Sequence, residues 1–176
     1  SSGSNRVVWV RGLTLNGSSS EFLKLNSSDA VSTSGQIMTV STSTIGVGGN
    51  ANLSGKDQLL YTWASVEGYS SFGKWVANGQ SSGAFIQTGF RPRLLFIKGD
   101  NSGDWVVIDT ARATVNITNT ALAWNLSNAD QTSNRELDIF SNGFKPMTSN
   151  SNLNTSGTKY MFGAWGDVPF KYNNTF

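Results

Sequence analysis

Two kinds of side chain in this sequence have the type and spacing for chemistry: carboxylates close to a guanidinium or an amide, and six tryptophans. Asp109 and Arg112 stand three apart where an apolar run passes into a polar one. Together they could grip a sugar or a carboxylate. The plainer expectation is a structural ion pair that pins the loop to the fold, since a guanidinium fork meets a carboxylate bidentately. Asp100, Asn101 and Asp104 offer oxygens to Ca²⁺, but two carboxylates and an amide fall short of the roughly six to eight oxygens that ion takes. A hairpin turn is therefore expected there, and no metal. Carboxylates such as Asp109 and Asp138 could be brought together for glycoside hydrolysis, yet nothing in their spacing singles them out, and no catalytic residue is assigned.

Tryptophans suit sugar stacking when exposed and core packing when flanked by apolar residues. Trp63 and Trp165, and likewise Trp9 and Trp105, occupy equivalent places in an internal repeat and lie inside apolar runs. They are expected to pack in the core or between sheets, with their indole N–H groups on backbone carbonyls. Trp75 and Trp124 are freer, because Trp124 corresponds to Leu25 in the repeat, a position that needs apolar bulk but no indole. Were a glycan to bind, Trp75 and Trp124 are the expected platform.

The rest of the composition narrows the chemistry further. The 176 residues include no cysteine and no histidine. Disulfides, thiolate and imidazole metal sites, Ser-His-Asp or Cys-His nucleophile pairs and neutral-pH histidine acid–base catalysis are excluded. Charged residues make up 14% of the chain, against roughly 25% in ordinary soluble domains. The net charge is +2 and no Lys/Arg run exists, so a phosphate-tracking surface is not supported. Serine, threonine, asparagine and 19 glycines take the place of charge, while 38% hydrophobic residues supply the core that a disordered chain lacks. With so few titrating groups, the fold is expected to be nearly indifferent to pH between about 6 and 9. Asn-x-Ser/Thr triplets follow from the composition alone. No apolar run reaches membrane-spanning length, and the first residues carry no signal pattern, which reads as a processed or ordered portion of a longer polypeptide.

The elements that must position these side chains read as strands. Short runs rich in Val, Ile, Leu, Trp and Phe occur at residues 7–10, 21–25, 37–40, 59–64, 71–76, 84–88, 93–98, 105–109, 121–126, 136–140 and 159–165. Turn signals such as Asn78-Gly79, Ser102-Gly103, Asn142-Gly143 and Ser156-Gly157 separate them and favour hairpins. No stretch carries a convincing helical period; residues 111–119 read as a loop. The expected fold is all-β, a sandwich or jelly roll of antiparallel sheets.

The chain also repeats. Asn52-x-Ser54-Gly55 with Trp63 recurs as Asn154-x-Ser156-Gly157 with Trp165, an offset of 102. Leu23, Asn26, Ser28 and Ala30 recur as Leu122, Asn125, Ser127 and Ala129 at an offset of 99, and Trp9-Val10 as Trp105-Val106 at 96. Residues 1–66 therefore read as the second half of one repeat and 67–176 as a complete one. Half a sandwich leaves edges and an apolar face open, so the first part is expected to complete its core against the second, against another chain or against upstream sequence.

The strings Gly68-Tyr69-Ser70-Ser71-Phe72-Gly73-Lys74-Trp75, Thr88-Gly89-Phe90-Arg91-Pro92-Arg93, Gly103-Asp104-Trp105-Val106-Val107-Ile108-Asp109-Thr110-Ala111-Arg112 and Asp138-Ile139-Phe140-Ser141-Asn142-Gly143-Phe144-Lys145 resemble a repeated β domain of virion structural proteins in tailed bacteriophages, notably those of marine bacteria and cyanobacteria. The resemblance covers Glu67 to Phe170 and touches the first part at Gly12-Leu13 and Leu25-Asn26-Ser27-Ser28. It departs at Gly163-Ala164-Trp165, where the family more often has Ala-Phe-Ala, and at Lys145-Pro146-Met147. The resemblance implies a non-enzymatic tail fibre, appendage or capsid-decorating protein located in the virion. Its implied partners are other virion proteins and copies of itself, as a trimer in a fibre. Host-surface attachment through a glycan is the alternative role. No cofactor, nucleic acid or membrane insertion is implied.

Overall fold

The computed structural model describes residues 7–8, 21–33, 36–41, 43–49, 54–55, 57, 59–113 and 115–167. The expectations resting on Trp9, Gly12-Leu13, Asn52 and Pro169-Phe170 lie outside them. Among the described residues there are twelve strands: β1 (Val7–Val8), β2 (Leu23–Lys24), β3 (Gln36–Val40), β4 (Ile45–Gly49), β5 (Ser70–Val76), β6 (Ile86–Gln87), β7 (Pro92–Gly99), β8 (Val106–Asp109), β9 (Leu122–Ala123), β10 (Leu137–Phe140), β11 (Gly143–Pro146) and β12 (Lys159–Gly166). The described residues contain no helix, and every strand pair is antiparallel. The protein is an all-β sandwich.

A five-stranded sheet, in the order β5-β12-β7-β8-β9, is packed against a three-stranded sheet, β10-β11-β6. Period-two alternation on the central strands decides what lies between them. Leu95 and Ile97 of β7, Val106 and Ile108 of β8, and Tyr160, Phe162 and Ala164 of β12 meet Ile86, Leu137, Ile139 and Phe144 of the smaller sheet in one buried cluster. The alternate residues Phe96, Val107 and Met161 point the other way and form a second cluster with Trp105 and Leu23. A sheet apolar on both faces needs a cover on each.

Glycine makes the aromatic packing fit. Gly73 lies directly opposite Phe162 in the β5–β12 ladder, and a Cβ there would come within 2.6 Å of the Phe162 ring. Gly163 likewise faces Phe96 across β12–β7, with the Phe96 and Phe72 rings in the space a Cβ would take. Each ring is laid over the bare backbone of its neighbour, which compensates the missing side chain.

The structure differs from the expected strands at three places. Residues 59–64 form no strand, although their apolar pattern predicts one. Gly143–Pro146 is a strand, paired to β10 through the two-residue turn at Ser141-Asn142, where the sequence shows only a turn and a proline. β4 also goes unread, because three of its five residues are glycine and carry no apolar signal.

Candidate functional site

The outer face of the five-stranded sheet gathers four of the tryptophans, Trp63, Trp105, Trp124 and Trp165, and residues 21–32 cover part of it. The Val31 N–H donates to the Asp100 carbonyl at 3.0 Å, and the Gly103 N–H donates to the Ser28 carbonyl at 2.9 Å. The Trp105 indole N–H donates to the Lys24 carbonyl at 2.8 Å. Leu23, Leu25 and Val31 pack on Phe96, Trp105, Val107 and Met161. The first part of the chain thus closes on the second.

Beyond this cover an aromatic tract runs across the sheet. Tyr61 stacks on Trp63 with centroids 6.2 Å apart, and Trp63 meets the edge of Trp165 at 6.3 Å. Trp165 contacts Phe72 and Phe96, each at 5.3 Å, and Phe96 contacts Trp124 at 5.2 Å. The interior of the tract is covered and its two ends are open: Trp63 is 60% exposed and Trp124 47%. Tyr61, Phe72 and Phe96 were not singled out by the sequence. The signal that finds Phe96 is a strand, β7, apolar on both of its faces.

Three sequence expectations are corrected by this arrangement. Trp75 is no platform: it is 9% exposed, stacked on Tyr160 at 5.2 Å and against the edge of Phe144. Its position on β5 turns it toward the inner face, and its indole N–H finds no acceptor among the described residues. Trp63, expected in the core, lies outside it because the segment that carries it forms no strand. Trp105 lies in the outer cluster and Trp165 packs against it. Finally, Asp109 and Arg112 form no side-chain ion pair with each other; they are joined only through the turn, where the Arg112 N–H donates to the Asp109 carbonyl at 3.1 Å. The Asp109 carboxylate accepts the Ala111 N–H at 2.8 Å and lies 3.5 Å from Arg93 Nε, while the tight turn sends Arg112 to Asp130. Because exposed ion pairs contribute little, Arg112→Ala is expected to leave the melting temperature unchanged within error, whereas Asp109→Ala lowers it by removing the acceptor of the turn. Equal thermal melts for the two variants would count against this account.

The turn considered for calcium already holds a cation from the chain itself. Lys98 is completely buried, and its Nζ donates to the Gly99 carbonyl at 2.9 Å and the Asn101 carbonyl at 2.8 Å. Burial pushes its pKa down to about 8, opposed by Asp100, Asp104 and Asp29. Asp104 is occupied elsewhere: it pairs with the buried Arg135 at 3.3 Å and accepts from Asn125 Nδ2 at 3.0 Å. Among the described residues no group of three His, Cys, Asp or Glu side chains is placed to hold a metal. Asp138 accepts from Asn116 Nδ2 at 2.6 Å on the β10 strand of the smaller sheet.

The geometry defines a class before it defines a family: an all-β sandwich with a second apolar face, sealed in part by its own preceding segment and continued by an open aromatic tract. The chain belongs to the family described as Domain of unknown function (DUF7483), whose model matches residues 1–169. That match spans both the covering segment and the sandwich. No curated protein and no solved structure matches the chain.

Proposed function

We propose that this chain is a non-enzymatic structural module of a tailed-phage virion, a fibre, appendage or capsid decoration that works by packing against protein. The observation that supports it is the outer face of the five-stranded sheet, where buried Phe96 and Trp105 continue into exposed Trp63 and Trp124. A contiguous apolar surface of this kind marks a contact with another macromolecule. Its breadth across the strands of one sheet suits a flat protein partner better than a concave small-molecule site.

A second reading is favoured by Trp124 alone, whose half-exposed indole could stack on a host-surface sugar. Sedimentation of the chain over a concentration series, beside a glycan array, separates the two. Packing predicts self-association that weakens in the double variant Trp63→Ser, Trp124→Ser while the circular dichroism spectrum is kept. A chain that stays monomeric at every concentration and binds a glycan, with binding lost in Trp124→Ala, would overturn the packing reading in favour of the sugar.

A further inference from the structure

Residues 59–64 read Leu-Leu-Tyr-Thr-Trp-Ala and form no strand, and every one of them is exposed. Leu59 is 77% exposed and Tyr61 68%. The segment has a fixed end on the sandwich. Val66 and Ser70 exchange two backbone hydrogen bonds of 2.9 Å, and the Ser65 hydroxyl accepts the Phe72 N–H at 3.1 Å. Ahead of that anchor the Ala64 carbonyl accepts from Ser70 Oγ at 2.8 Å. No backbone group of Leu59 to Trp63 is paired with another of the described residues.

A protease takes its substrate as an extended strand reaching several residues to either side of the bond it cuts. A folded chain is therefore cut first where its backbone is already unpaired and exposed. The other exposed aromatic and leucine side chains among the described residues are Phe85, Trp124, Leu126 and Phe140, and their backbone is held. The Trp124 N–H donates to the Trp105 carbonyl at 3.1 Å and the Leu126 N–H to the Ala123 carbonyl at 3.2 Å. Phe140 ends β10 opposite Gly143, and Phe85, directly ahead of β6, rests its ring on Phe140 with centroids 5.4 Å apart. Cutting at any of these requires local unfolding, whereas residues 59–64 offer Leu60, Tyr61 and Trp63 without it. The segment also contains no proline and no charge.

The bonds within this segment separate the covering part of the chain from the sandwich, and the contacts that join those two parts lie elsewhere. Leu23, Leu25 and Val31 sit on Phe96, Trp105, Val107 and Met161. Val31 bonds Asp100, Gly103 bonds Ser28 and the Trp105 indole bonds Lys24. None of these contacts involves residues 59–64.

We propose that residues 59–64 are a processing site, the substrate of a protease with a pocket for a large apolar or aromatic side chain, and that the cut chain persists as two fragments joined through residues 21–32. The step is hydrolysis of one peptide bond, after Leu60, Tyr61 or Trp63. The C–N bond breaks, the hydroxyl of water goes to the carbonyl carbon ahead of the cut and its proton to the nitrogen behind it. The proposal goes beyond the packing reading and does not need it.

The test treats the full chain with a trace of chymotrypsin under native conditions, over a concentration series, with products identified by intact mass. The expected first products begin at Tyr61, Thr62 or Ala64, formed roughly 100-fold faster than any cut after Phe85, Trp124, Leu126 or Phe140. The two fragments should elute together on gel filtration and part in urea. Leu25→Asp places a charge where the covering segment meets the outer face and leaves the sandwich interior alone. That variant should be cut as fast as the wild type and then separate on the column without denaturant. Faster cutting after Phe85, Trp124, Leu126 or Phe140, or no cut at residues 60–64 at any concentration, overturns the proposal. Wild-type fragments that separate without denaturant overturn its second half. A cut suppressed only at concentrations where the chain self-associates supports both this proposal and the packing reading, and a chain that is monomeric throughout yet cut at residues 60–64 fails the packing reading alone.

Discussion

Replacing Trp105 with alanine is expected to destabilise the fold by about 3–5 kcal/mol, the range for truncating a fully buried large aromatic side chain. The expectation has more behind it than volume. Trp105 is completely buried and stands where three pieces of the chain meet. Its backbone N–H donates to Asn125 Oδ1 at 2.9 Å, its carbonyl accepts the Trp124 N–H at 3.1 Å, and its indole N–H reaches Lys24. Its ring packs against Phe96 with centroids 6.2 Å apart, below Leu23. The loss should therefore show in two measurements. Chemical denaturation gives the drop in stability, and hydrogen exchange shows the Val31 and Gly103 amides, which bond across the two parts of the chain, losing protection before the central strands do. Trp105→Phe keeps most of the apolar area and loses the indole bond, so it should cost only about 1–2 kcal/mol. A Trp105→Ala variant that keeps the exchange protection of Val31 would show that residues 21–32 are held by something other than this side chain.

The contrast among the tryptophans shows how much of the molecule was legible beforehand. The fold class was, because Val, Ile and Phe alternate with period two through β7, β8 and β12 and because turn pairs such as Asn142-Gly143 punctuate them. The face on which a given residue lies was not. Trp75 and Phe72 sit three apart on β5 and therefore face opposite sides of the sheet, but only the register with β12 says which side is the sandwich interior. Residues 59–64 read as a strand for a sound reason, since β-branching, aromatics and apolar bulk are the ingredients of one. A strand is a pairing, however, and among the described residues no neighbour pairs with this segment. The Asp109 and Arg112 pair failed for a local cause: the carboxylate accepts from its own turn, a competition that polar side chains after a strand commonly win. The aromatic tract escaped notice because its members come from β5, β7, β12 and two loops, far apart in sequence and adjacent only once the strand order is known.

Stability should rise as pH is raised from about 8 toward 10.5, and Lys98 is the cause. The folded protein holds this ammonium away from water, which lowers its pKa to about 8 from an ordinary value of 10.5. Between those two values the unfolded chain keeps the proton and the folded chain releases it, so unfolding takes up a proton and becomes less favourable as pH rises. The cost of burying the charge is fully present below about pH 8 and is relieved above it. At about 1.36 kcal/mol per unit of pKa difference, the rise amounts to on the order of 2–3 kcal/mol. Asp29, Asp100 and Asp104 oppose the effect by favouring the charged form, and Asp29 comes from the covering segment, where it also pairs with Lys24 at 2.8 Å. Few charges and no histidine had pointed to indifference up to about pH 9; one buried lysine is enough to break it at the upper end. The check is a pair of denaturation curves at pH 7, 8, 9 and 10 for the wild type and for Lys98→Met. Methionine matches the length of the side chain but carries no proton, so the variant should lack the part of the rise that the wild type shows. At pH 7 the variant gains from the missing charge and loses the two hydrogen bonds to Gly99 and Asn101, which makes the slope, and not the stability at any single pH, the decisive quantity. Identical slopes for the two proteins would mean that Lys98 stays fully charged in the folded state, held by its carbonyl ligands and the three aspartates against the cost of burial.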